Sequence, residues 1–153
     1  MPSALQDAYD ARIATGEIRA DAAQGAGLRA LIRLEADLVG AGSSGRLKAV
    51  FRKAESQRGV YLWGPVGRGK SMLMDLFFET VAVEKKRRTH FHVFMGEIHR
   101  LIDAWRKSDP AARKAKFGQH KGDDPIAPVA DVVAEGARLL CFDEFQVTDI
   151  ATP

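Results

Sequence analysis

Cysteine is all but absent from this sequence: Cys141 is the only one. A lone thiol excludes an internal disulfide framework and a four-thiolate zinc site. It points to a reducing compartment, with the cytoplasm as the expected location. Long apolar runs are missing too, and none approaches the ~20 residues needed to cross a bilayer. Nor is there a strong excess of one charge. Lys and Arg number 23 against 20 Asp and Glu, a net charge of +3. That is weak support for a nucleic-acid partner, because surface lysines and arginines are usually just solvated. The opening MPSALQDAYDARIA lacks the apolar stretch of a secretory signal, and Asp7 and Asp10 also argue against a transit peptide. What is present is ordinary: 153 residues, 46% hydrophobic and 28% charged. This composition excludes wholesale disorder, and the length suffices for a core without staples.

The first half reads as helical. Leu28, Leu31, Ile32, Leu38 and Val39 fall near one helical face, and Gly40 to Gly45 should end that helix as a small-residue loop. A second apolar stripe, Leu47, Val50, Phe51 and Ala54, predicts a shorter helix. Upstream, Ser3 to Ile18 reads as helix interrupted at Thr15 and Gly16.

The pattern changes at Gly59. Val60, Tyr61, Leu62 and Trp63 predict a strand buried on both faces. Met72, Leu73, Leu76, Phe77 and Val81 then form a helical stripe. Lys85 to Arg88 reads as a solvated basic loop, and His90 to Phe94 as a second strand. A helix should carry Ile98, Leu101, Ile102 and Trp105 on one face. Lys107 to Pro125 reads as a long connection, and Val129 to Ala134 as a short helix before a third strand, Leu139 to Phe142. Alternating strands and helices predict an α/β fold with a parallel sheet flanked by helices.

The strongest chemical signal is Gly64-Pro65-Val66-Gly67-Arg68-Gly69-Lys70-Ser71, which matches G-x-x-x-x-G-K-[ST] at every fixed position. Glycines let the backbone curl so that N–H groups face a phosphate, where a β-carbon would obstruct. A helix starting near Lys70 adds its dipole at the same point. Lys70 would neutralise the β- and γ-phosphates, and Ser71 would offer its hydroxyl to Mg²⁺. Pro65 and Val66 complete the nucleotide-binding stretch. Arg68 is equally readable as phosphate-facing or solvated. The motif implies a P-loop that binds a nucleotide with Mg²⁺.

The second signal is Leu139-Leu140-Cys141-Phe142-Asp143-Glu144, four apolar strand residues ending in two acids. In a P-loop fold Asp143 would hold the metal through its water, and Glu144 would polarise the attacking water. The paired acids favour hydrolysis over transfer to a second substrate, so Lys70 and Glu144 are the candidate catalytic residues. Other residues have plainer readings. Cys141, Trp63 and Trp105 suit a core or an interface. His90, His92 and His99 lack an acid or thiolate at ligand spacing. Arg113, Lys114, Lys116 and Lys121 suit a solvated face.

The segments Gly59 to Gly64 running into GRGKSMLMDLFF, His90-Phe91-His92 with Phe94-Met95, and RLLCFDEFQVTDIA resemble the ZapE family of ATPases, whose eukaryotic relatives are the mitochondrial Afg-type proteins. Asp21-Ala22-Ala23-Gln24 resembles that family's opening helix. Pro65 stands where the family has glycine, and Ser71 where threonine is more usual. The resemblance implies an AAA+-like ATPase acting on protein partners in cell division or protein quality control. It also implies a homo-oligomeric ring, a bacterial cytoplasmic location and a mitochondrial one in eukaryotes. It divides the chain into an N-terminal helical segment, 1–55, and the N-terminal part of an ATPase domain, 56–153. Relatives about twice as long imply a fragment that lacks the sensor strand, arginine finger and lid. Such a sheet would be incomplete, with edges prone to aggregation. Two alternatives remain. One is a helicase-loader-type ATPase using Lys114 and Lys116 on single-stranded DNA. The other is a fragment that binds nucleotide without turning it over.

Overall fold

The computed structural model describes residues 3–43 and 58–145. The predicted helix at Leu47 to Ala54 lies outside them. Two compact units, residues 1–83 and 84–153, make up the chain. The first contains α1 (Ala4–Ala14), α2 (Ala22–Ser43) and α3 (Lys70–Thr80). The second contains β1 (Lys86–His90), α4 (Phe91–Lys107), α5 (Pro110–Phe117), α6 (Ile126–Gly136) and β2 (Leu139–Asp143). Helix and strand are thus mixed, with a short parallel two-stranded sheet. Among the described residues no helix is long and apolar enough to cross a membrane.

In the first unit the apolar stripes meet. Leu28, Leu31, Leu34 and Leu38 of α2 are buried, as are Leu73, Leu76 and Phe77 of α3 and Leu5 and Tyr9 of α1. Leu34 fills the gap in the predicted stripe, whereas Val39 stays 43% exposed. The helix runs through Gly40 to Ser43 rather than breaking there. Each glycine costs about 1 kcal/mol relative to alanine in a helix, and the packed leucine face upstream offsets this. Ser3 caps α1 by accepting from the Gln6 N–H at 3.2 Å, while its own hydroxyl donates to the buried Glu35 of α2. Arg12 of α1 pairs with Glu79 of α3 at 3.0 Å. A β-carbon on Gly27 would stand 3.2 Å from Leu62 Cδ2 and 3.3 Å from Leu73 Cδ1. A side chain there would require these two leucine tips to give by a few tenths of an ångström.

In the second unit β1 and β2 pair from Lys86 opposite Leu139 to His90 opposite Asp143. This corrects two expectations. The basic run is strand, not loop, and Phe91 to Phe94 form the first turn of α4, not a strand. KRRTH has no apolar pattern to announce a strand; the ladder to 139–143 makes it one. The stretch read as a long connection contains α5, capped by Asp109, whose side chain accepts from the Ala112 N–H at 2.9 Å, with Pro110 in the first turn. Its Arg113 is not simply solvated. It donates to the Trp105 carbonyl at 2.9 Å, pairs with Asp123 at 2.9 Å, and lies 4.9 Å above the Trp105 ring. Trp105, Phe117 and Val129 form the buried cluster, with Ile98, Leu101 and Ile102 packed against it. Cys141 is buried, as a core residue should be.

Arg87 of β1 donates to Glu97 of α4 and holds its carboxyl below the usual carboxylate range. A depressed carboxyl stabilises the fold at pH values above its unfolded pKa, about 4.3. That contribution disappears as pH falls through the lower, folded value. Both side chains are partly exposed, so the effect should not exceed ~1 kcal/mol. In denaturant titrations, Glu97→Gln should be less stable than wild type by this amount at pH 7, and the gap should close as pH falls below the ordinary carboxylate range. A constant gap across that range would contradict the pairing.

Candidate phosphate-binding loop and acidic strand end

The approach to the loop is extended but is not a strand. Residues 60–63 belong to neither described strand, which corrects the doubly buried strand read from the sequence. Burial alternates instead. Val60 and Leu62 are half-buried, whereas Tyr61 is 66% and Trp63 83% exposed. Trp63 is therefore no core residue. β-propensity describes a fit to a ladder and its neighbours, not an intrinsic backbone preference.

The loop itself has the backbone its glycines permit. Gly64, Gly67 and Gly69 have φ of 141°, 81° and 78°, where a β-carbon is disfavoured. Gly69 is the left-handed N-cap of α3, and no side chain caps that end. The Leu73 N–H bonds back to the Gly69 carbonyl at 2.9 Å, starting the helix ladder. A helix N-terminus with no capping side chain is suited to an anion. Lys70 Nζ folds back over the loop and donates to the carbonyls of Gly64 and Pro65 at 2.8 and 2.6 Å. Val66 projects from the tip, 99% exposed. Arg68, open to two readings in the sequence, turns to the rim and pairs with Asp21 at 3.1 Å. Ser71 lies on the exposed side of the first turn of α3.

The acids lie in the second unit. β2 delivers Asp143 at its carboxyl end. Asp143 Oδ2 accepts from Arg88 Nη2 at 2.9 Å, and Oδ1 accepts from the Glu144 N–H at 3.2 Å. Arg88 lies in the run read as solvated, 55 residues away. Only strand register brings it to the acid, so no local signal could have found it. Glu144 adopts φ of 51°, the one described non-glycine residue at positive φ. Such conformations cost of order 1–3 kcal/mol and cluster at functional sites. Its side chain is 70% exposed, with Oε2 4.0 Å from His90 Nδ1. Beside the acids, Phe91, Phe94, Phe142 and Phe145 cluster through tilted and edge-on ring contacts, the closest pair being Phe91 and Phe145 at 4.3 Å. His90 and His92 face each other at 5.8 Å across the strand–helix junction rather than along one strand.

A family model described as AFG1-like ATPase matches residues 3–153. The chain is 48% identical over 99 residues to lactation elevated protein 1 homolog B of Danio rerio, covering 65% of this chain and 19% of that protein. It is 43% identical over 93 residues to cell division protein ZapE of Escherichia coli, covering 61% of this chain and 21% of that protein. The chain thus spans about a fifth of the length of the curated relatives it matches. No solved structure matches it.

Proposed function

Since the chain belongs to the AFG1-like ATPase family, we propose that residues 64–71 bind ATP with Mg²⁺ and that the whole protein hydrolyses it. The observation that carries this reading is the left-handed, uncapped Gly69 at the start of α3, with Lys70 folded over the loop before it. The fit is chemical as well as geometric. The loop offers backbone N–H groups and one ammonium, the set that receives phosphates. Ser71 and Asp143 each offer an oxygen, the donor type Mg²⁺ takes, directly or through water.

In this reading Mg²⁺, when bound, neutralises phosphate charge. Gly64 to Arg68 curl around the phosphates, Gly69 and Lys70 present their N–H groups, and the Lys70 ammonium offsets the charge on the outer phosphates. Asp143, steadied by Arg88, is the second proposed metal-holding group. Glu144 orients the attacking water and accepts its proton. At the level of fold, the proposal is an AAA+-like P-loop domain. Action on protein partners, a homo-oligomeric ring and a cytoplasmic site are proposed with it. Support comes from ZapE, whose name marks it as a cell division protein.

The test is calorimetric titration of the full-length protein with ATP and Mg²⁺. One saturable site per chain is expected below millimolar ATP. No heat of binding at millimolar ATP overturns the reading.

A further inference from the structure

The pattern Asp21-Ala22-Ala23-Gln24 opens α2 and has no part in the proposed phosphate chemistry, yet it stands beside the loop. Asp21 acts as the cap: its Oδ1 accepts from the Ala23 N–H at 2.9 Å, and its carbonyl accepts from the Gln24 N–H at 2.9 Å. Its other carboxylate oxygen holds Arg68 of the loop rim at 3.1 Å. Gln24 therefore sits in the first turn of the helix, half-buried. The hydroxyl of Tyr9, itself 6% exposed, donates to Gln24 Oε1 at 2.8 Å. With Oε1 at the Tyr9 hydroxyl, Nε2 lies on the side of the loop. A β-carbon on Gly69 would stand 2.8 Å from Gln24 Nε2 and 3.3 Å from Met72 Cε.

Between the 18–24 segment and the loop lies an open concavity of about 610 Å³. Ile18, Ala20 and Met72 contribute apolar wall, and Gln24 and Arg68 are among its polar groups. The concavity begins at Gly67 to Gly69, next to where the phosphates would sit, and its volume lies within the ~300–1,000 Å³ of small-molecule sites. A nucleotide held by its phosphates has its base beyond the sugar, and this concavity adjoins the loop.

Resting on the nucleotide reading of the loop, we propose that Gln24 is a specificity-determining residue that selects adenine. A carboxamide oxygen has two acceptor lone pairs, and Tyr9 uses one. The second accepts from the adenine amino group while Nε2 donates to the neighbouring ring nitrogen, the pairing that glutamine makes with adenine. Guanine places a carbonyl where adenine has its amino group, so two acceptors would face each other. Ile18 and Met72 cover the faces of the base.

The experiment compares ATP, GTP and inorganic tripolyphosphate, each with Mg²⁺, binding to the full-length protein and to Gln24→Ala and Tyr9→Phe. Wild type is expected to prefer ATP over GTP by about tenfold or more. Gln24→Ala should lose about tenfold to a hundredfold in ATP affinity and most of that preference. Its tripolyphosphate affinity should be unchanged, which also reports an intact loop. Tyr9→Phe should shift ATP affinity in the same direction but less. Equal binding of ATP and GTP by wild type, or an undiminished preference in Gln24→Ala, overturns the proposal while the loop reading stands. Tripolyphosphate affinity falling in step with ATP in both variants does the same, because it marks a structural role. Wild type that binds neither ATP nor tripolyphosphate overturns the loop reading, and this one with it.

Discussion

Replacing Lys70 by alanine in the full-length protein should lower ATP turnover by about 10²–10³-fold, the loss typical of removing one preorganised charge-stabilising donor. The ammonium donates to the loop's own carbonyls at Gly64 and Pro65, so it is already gathered over the turn before it meets a phosphate. Hydrogen bonds to charged groups contribute about 1.5–3 kcal/mol, so ATP affinity should fall roughly tenfold or more. The fold should survive, because Lys70 lies in the first turn of α3 and the packing of that helix rests on Leu73, Leu76 and Phe77. Steady-state phosphate release and calorimetric binding on one preparation separate the two effects. Turnover at the wild-type rate would remove the loop from the mechanism.

Glu144→Gln should behave differently. ATP binding should persist while hydrolysis falls by about 10²–10⁴-fold, the range for losing a positioned general base. Three observations single out Glu144 over its neighbour. Its carboxylate is 70% exposed, its backbone is held at positive φ, and its described charge contact is His90 at 4.0 Å. Asp143 is instead engaged by Arg88 at 2.9 Å, which suits a fixed metal-holding group better than a proton acceptor. Glutamine keeps the size and polarity of Glu144 but cannot take the proton. A variant that binds ATP and turns it over normally would show that Glu144 is not the base, without touching the assignment of Lys70.

Contiguous features were legible in the sequence; paired features were not. The stripe Leu73, Leu76, Phe77 and the stripe Ile98, Leu101, Ile102, Trp105 became α3 and α4 because a helix satisfies its own backbone and needs only one apolar face. Leu139 to Phe142 became β2. The strands drawn at 60–63 and 90–94 did not form, and a strand did form in the charged run 86–90. A strand's hydrogen bonds lie on another segment, so the partner decides. The same reasoning hid Arg88 behind Asp143 and Gln24 beside Gly69, contacts that span 55 residues in the first case.

Taken alone, then, the order of amino acids determined the glycine-rich turn before α3, since positive-φ glycines, a lysine and a helix start are consecutive and their geometry is local. It also determined the helices with one apolar face. Tertiary structure alone decided which basic residue grips the acid at the end of β2, which glutamine amide meets the turn, and which run became a strand. Each of these is a contact between distant segments, set by the packing of helices and the register of a ladder.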